Sequence, residues 1–118
     1  MVKGLFLDDE RNPQDVTWIK YPLDMSWEIV RTYREFEDAL LLSNYDIVSF
    51  DHDIQDFTDQ GEERTGYTCF LRMLDFVMDG GILLPEVLVH SQNPVGAENI
   101  RKHYTNYLKF LEEWDVTR

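Results

Sequence analysis

Cysteine occurs once in this 118-residue chain, at Cys69. An internal disulfide framework is therefore excluded, and a reducing cytoplasm is the expected setting. Long apolar runs are also missing. The longest, such as Ala39 to Leu42 and Ile82 to Leu84, are far too short to span a bilayer, and no basic-then-apolar signal segment opens the chain. Cations are scarce, with 11 Lys and Arg against 23 Asp and Glu, a formal charge of −12. That deficit argues against non-specific binding along duplex nucleic acid, which needs a cationic surface. A metal-bridged phosphate, or one nucleic-acid end on a local basic patch, stays open. There is no internal repeat and no low-complexity tract. What the chain does have is a core. Hydrophobic residues make up 43% and aromatics 14%, which excludes wholesale disorder and suits one domain over residues 1–118.

The acid is unevenly placed. Residues 1–60 carry 5 basic and 14 acidic side chains, and residues 61–118 carry 6 and 9. Asp51, Asp53, Asp56 and Asp59 fall in one short stretch, whereas Pro94 to Phe110 holds Arg101, Lys102 and Lys109 against only Glu98. Most of these charges read as a solvated acidic surface.

Strands and helices alternate along the chain. Gly4 to Leu7 is an apolar strand that stops at Asp8-Asp9-Glu10-Arg11, with a turn at Asn12-Pro13. Residues 13–25 suit only a short or irregular helix. Trp27 to Arg31 reads as a second strand and Arg34 to Ser43 as a helix carrying Phe36, Ala39 and Leu40 on one face. Asp46 to Phe50 is a third strand, stopped by Asp51-His52-Asp53 and followed by a polar loop from Gln55 to Glu63. A helix starting near Thr65-Gly66-Tyr67 places Phe70, Leu71, Leu74, Val77 and Met78 at helical spacing and closes at Gly80-Gly81. Glu86 to Val89 is the fourth strand. The last helix takes Asn93 as N-cap and Pro94 as first residue, with Ile100, Tyr104, Tyr107, Leu108, Leu111 and Trp114 on one stripe. Continuously apolar strands are those of a parallel sheet covered on both faces, so the fold expected is a three-layer α/β/α sandwich of about four strands.

In such a sheet ligands bind beyond the carboxyl ends of the strands. Three strands end there in unusual chemistry: Asp8-Asp9, Asp51-His52-Asp53 and His90-Ser91. One such end reads as ordinary turn chemistry. Three together, carrying two of the three histidines, read as a site. If the strands are neighbours, their carboxylates crowd one small volume and call for a cation. Oxygen ligands in that number favour Mg²⁺ or Mn²⁺ on Asp8, Asp9, Asp51 and Asp53, although His52 and His90 also suit a softer metal. His52 and His90 are each either an acid–base group or a hydrogen-bonded structural histidine. The helix start at Val95-Gly96-Ala97 offers amides to a phosphate. Ser91 and Asn93 add donors, Arg101 lies further along the helix, and Arg11 could clamp a phosphate bidentately or pair with its acidic neighbours. Cys69 reads as a packing residue, His103 as a solvated one, and Trp18, Trp27 and Trp114 as packing rather than stacking aromatics.

The segments Leu5-Phe6-Leu7-Asp8-Asp9-Glu10-Arg11 with Pro13, Ser49-Phe50-Asp51-His52-Asp53, Thr65-Gly66, and His90-Ser91-Gln92-Asn93-Pro94-Val95-Gly96-Ala97-Glu98-Asn99-Ile100 resemble the cyclic-phosphate processing receiver domain family, over about residues 3–101. The resemblance implies a receiver/flavodoxin-like sheet of order 2-1-3-4. It places Asp8 and Asp9 in a Mg²⁺-binding acidic pair, Asp51 at the phosphoacceptor position and Ser91 at the hydroxyl position. Against an ordinary receiver, the fifth strand and its phosphate-contacting lysine are expected to be missing, and His52 stands where an apolar residue is usual. Both departures match the cyclic-phosphate family, whose implied activity is cyclic-phosphate processing in RNA repair or bacterial and phage conflict.

Three readings follow. The first is a metal-dependent phosphoesterase opening a cyclic phosphate, on an RNA 2′,3′-cyclic end or a small nucleotide, with Asp51, His52 and His90 catalytic and Arg11, Ser91, Asn93, Gly96 and Arg101 on the phosphate. The second is a degenerate receiver signalling through Asp51 phosphorylation or partner docking. The third is an acidic, non-enzymatic binding protein.

Overall fold

The computed structural model describes residues 1–117, with side chains through Glu113. Trp114 therefore lies outside the residues whose side chains are described. In chain order the elements are β1 (Val2–Leu7), a one-turn 3-10 helix (Pro13–Asp15), β2 (Met25–Val30), α1 (Tyr33–Leu42), β3 (Ile47–Phe50), β4 (Asp56–Phe57), β5 (Glu63–Arg64), α2 (Gly66–Met78), β6 (Glu86–Val89) and α3 (Pro94–Thr117). Four strands form one parallel sheet in the order β2-β1-β3-β6. This is the expected order, with β6 as the fourth strand. The loop expected over Gln55 to Glu63 contains the small antiparallel pair β4–β5, whose turn includes Gly61 at φ +84°, a conformation that favours glycine.

One sheet face carries the main core. Leu5, Leu7, Val30, Val48, Phe50, Val87 and Val89 pack against Phe36, Ala39 and Leu40 of α1, Cys69, Phe70, Met73 and Leu74 of α2, and Ala97 and Ile100 of α3. Phe50 sits at its centre, with the rings of Phe36 and Phe70 at 5.5 and 5.8 Å. Each helix start is fixed locally. Thr32 Oγ1 accepts from the Glu35 amide, Thr65 Oγ1 from the Thr68 amide, and Asn93 Oδ1 from the Gly96 amide, so Asn93 is the N-cap expected. Gly80, at φ +79°, ends α2.

The opposite face is covered differently. All three α-helices contribute to the first core, and the second face is met by the segment between β1 and β2, whose only helical turn is Pro13–Asp15. Pro13 and Pro22 each remove a backbone donor, and no 3.6-residue apolar period runs between them, so the segment stays irregular. Trp27 packs edge-on to Phe6 at 5.8 Å and to Tyr21 at 5.0 Å, the packing role expected of it. Gly4 admits that indole, since a Cβ there would overlap the Trp27 ring.

Two expectations are corrected here. His103 is half-buried rather than solvated, because its Nδ1 lies 2.8 Å from the Tyr67 hydroxyl and its ring meets Phe70 edge-on at 5.4 Å. Trp18 is 42% exposed rather than packed away. Among the described residues no helix is long and apolar enough to cross a membrane.

Candidate functional site

Strand order in the sheet reverses between β1 and β3, and there the sequence-predicted strand ends converge. Leu7 pairs with Phe50, and Phe50 with Val89, so the residues that follow them lie side by side. The ladder continues one step, with the Asp51 amide donating to Leu7 O at 2.9 Å and the His90 amide to Phe50 O at 3.0 Å. Asp8, Asp51 and His90 are all buried, and one ligand atom of each falls within 4.8 Å of the others.

The carboxylates are driven in opposite directions. Burial pushes the Asp8 carboxyl up, but His90 Nε2 at 3.0 Å and the backbone amides of Arg11 and Glu10 at 2.8 and 2.9 Å outweigh it and hold the group at about 2. The Asp51 carboxyl is raised, first by burial and then by the charge of Asp8, against which His90 and the His52 amide pull only partly. Asp9 is raised as well, by burial first and then by Asp8 and Glu10 against its own backbone hydrogen bond. A fixed anion beside two reluctant ones is an arrangement that a cation relieves. The donor set, carboxylate oxygens with one adjoining imidazole, fits a hard divalent ion.

Beneath the carboxylates runs a hydrogen-bonded chain whose direction is set by its ends. Ionised Asp8 can only accept, so His90 donates from Nε2. In the singly protonated ring Nδ1 then accepts from Ser49 Oγ at 2.7 Å, and Ser49 accepts from the Tyr21 hydroxyl at 2.6 Å. Burial pushes the Tyr21 phenol up to about 12, which keeps its proton available to donate. Phe6 stacks on the imidazole at 4.3 Å and 7°. His90 is thus gripped at both nitrogens and on one face.

Above lies an open pocket of about 330 Å³. Asp8, Asp9, Arg11, Asp51, Asp53, Ser91 and Asn93, seven of the residues expected from sequence, line it. Arg11 stands 3.9 Å from Asp8 Oδ2 and donates to Gln92 Oε1 at 3.1 Å. Its loop is tied down by Arg31, whose guanidinium donates to the carbonyls of Asp8 and Arg11 and to Asn12 Oδ1 at 2.6–3.1 Å. Asp53 accepts from His52 Nδ1 at 2.9 Å and from Asn93 Nδ2 at 3.1 Å. The His52 hydrogen bond holds the Asp53 carboxyl below its usual range. Gly66 lets α2 approach the carbonyl of Asp51, which a Cβ would overlap, and Gly96 does the same for the His52 ring.

Four expected residues sit elsewhere. His90 is fully buried behind Asp8, and His52 lies at the margin, its ring against Gly96. Gly96 does not reach the pocket, and its amide is already given to Asn93, so its role is close packing rather than phosphate binding. Arg101 is also outside. Two turns along α3, it turns back to donate to Val89 O at 3.0 Å. The sequence reading missed Glu10, Gln55 and Gln92 in the lining, and Ser49 and Tyr21 beneath. Ser49 was findable as the one polar residue in an apolar strand. Gln55 adopts φ 50°, unusual for a residue other than glycine, and no sequence signal marked it.

The sequence model of the cyclic-phosphate processing receiver domain matches residues 3–106, close to the whole chain, and the protein belongs to that family. No curated protein and no solved structure matches it.

Proposed function

We propose that this member of the cyclic-phosphate processing receiver family is a metal-dependent phosphoesterase that opens a cyclic phosphodiester. The observation that carries the reading is the pairing of Asp8 with Asp51 at adjacent strand ends, one held ionised and the other resisting ionisation, in a pocket that also holds Arg11. Mg²⁺ or Mn²⁺ held by Asp8, Asp9 and Asp51 would neutralise phosphoryl charge and acidify water. The chain's own residues supply the rest. Arg11 binds a non-bridging phosphoryl oxygen, with Ser91 and Gln92 beside it. Asp53 takes the His52 Nδ1 proton and so leaves Nε2 to carry the moving one. That nitrogen takes the proton from the attacking water and returns it to the ribose oxygen freed when the strained P–O bond breaks. His90, gripped on both sides, orients Asp8 and moves no proton.

The test is incubation of the protein with an RNA oligonucleotide ending in a 2′,3′-cyclic phosphate, with Mg²⁺, with Mn²⁺ and with chelator. Metal-dependent opening that Asp51→Asn abolishes is the expected result; turnover unchanged by that substitution refutes the assignment. The receiver relationship favours a second reading, phosphorylation of Asp51 as a signal. Labelling of Asp51 by acetyl phosphate without diester turnover would select it.

A further inference from the structure

The pocket holds a phosphate but has no surface for a nucleobase. Every residue lining it is polar or charged. One aromatic stands at its rim. Trp18 is 42% exposed, its Nε1–H donates to His90 O at 2.9 Å, and the Arg11 guanidinium lies 5.3 Å from its ring centroid. That same guanidinium lines the pocket and bonds Gln92. The indole is thus pinned at one edge to the strand end that supplies Ser91, and it stands one side chain away from the proposed phosphate position. An exposed tryptophan on an irregular segment would ordinarily be a loose surface group, and this one is fixed on two sides.

We infer that Trp18 is a stacking platform for the base of a nucleoside cyclic phosphate. Its indole takes the base while Arg11 holds the phosphate. This rests on the cyclic-phosphate reading and narrows it to substrates with an aromatic base beside the ring phosphate. Base–aromatic stacking tolerates any base, because each offers a π-face, so the platform selects nucleosides as a class without reading sequence.

The test follows the indole N–H resonance of Trp18 by NMR, identified by its loss in Trp18→Phe, with Mg²⁺ present. Two probes are compared: adenosine 2′,3′-cyclic phosphate, and glycerol 1,2-cyclic phosphate, which has the same five-membered ring and no base. The nucleotide is expected to shift the indole resonance and the glycerol ester to leave it in place. Trp18→Leu is expected to weaken nucleotide binding by roughly 10-fold, within the range of about 5- to 150-fold for one stacked base, and to leave the glycerol ester unaffected. An indole unmoved by nucleotide up to about 10 mM, above the millimolar Kd of a weak site, overturns the inference. So does one moved equally by both probes. Turnover is measured separately: its absence would remove the proposed reaction, while the indole response still decides the platform.

Discussion

Asp8→Asn separates the charge of the central carboxylate from its shape. The Asp8 carboxyl is lowered from 3.8 to about 2, and at about 1.36 kcal/mol per unit the ionised form contributes roughly 2 kcal/mol to folding. The folded-state value lies below the unfolded one. The contribution is therefore complete above the ordinary carboxylate range and is lost as pH falls from 3.8 through about 2. The amide introduced by Asp8→Asn keeps the size and one acceptor oxygen but cannot titrate. Urea unfolding of both proteins, with chelator present, at several pH values from about 2.5 to 6 reads the difference. The wild type is expected to be more stable by about 2 kcal/mol at pH 6, with a gap that narrows steadily toward pH 2.5. A gap that is absent at pH 6, or that persists unchanged at pH 2.5, refutes the claim that His90 and the Arg11 and Glu10 amides hold this carboxylate ionised.

Asp51→Asn should act in the opposite sense. The raised Asp51 carboxyl costs the wild type stability as pH rises through its folded-state value, so without metal the variant unfolds at higher urea at pH 7 and the two converge in acid; a less stable variant at pH 7 refutes this. Mg²⁺ should raise the wild-type midpoint and leave that of Asp51→Asn nearly unmoved, read by the same titration. Tyr21→Phe deprives buried Ser49 of its donor and should cost about 1 kcal/mol by urea unfolding; no change would mean that the relay ends at Ser49. Gly66→Ala drives a Cβ into the backbone carbonyl of Asp51, which has no rotamer to escape by, and should cost at least about 3 kcal/mol in a denaturation curve. A wild-type melt for that variant would contradict the close approach of α2 to the site.

What the sequence made legible was whatever local chemistry alone determines. The apolar runs ending in Asp8, Asp51 and His90 could be read because a strand stopping in charge is visible within ten residues, and the parallel sheet followed from runs apolar at every position. Asn93, Thr65 and Gly80 could be read because capping is a local rule. Arg101 was misplaced for the complementary reason. Proximity along the chain to Ser91 and Asn93 suggested a shared site, but two turns of helix carried the guanidinium away from the pocket. The exposure of Trp18 and the burial of His103 both depend on what another element brings to them: in one case Arg11 and a strand carbonyl, in the other Tyr67 and Phe70. Ser49 and Tyr21 needed the register of β1, β3 and β6 before their alignment under Asp8 could be seen.

The least legible segment, residues 13–24, explains why the site has the form it does. A regular helix would have presented a repeating stripe to the second sheet face and buried it in apolar contact. The irregular chain instead lets residues three apart take unrelated tasks. Tyr21 turns inward to end the hydrogen-bonded chain from Asp8, and Trp18 stays at the pocket rim with its nitrogen on His90 O. Together they hold His90 from two directions, one through its side chain and one through its backbone. Arg31, on the following strand, fixes the loop that carries Arg11. Loosening this segment should therefore disturb Asp8 and the phosphate-facing arginine together, while the helical core around Phe50, built on the other face, remains intact. Amide exchange gives that separation directly: Trp18→Gly should speed exchange at Arg11, Ser91 and Gln92 and leave Phe70 and Met73 protected. Faster exchange across both faces would mean that the two layers do not behave as separate supports.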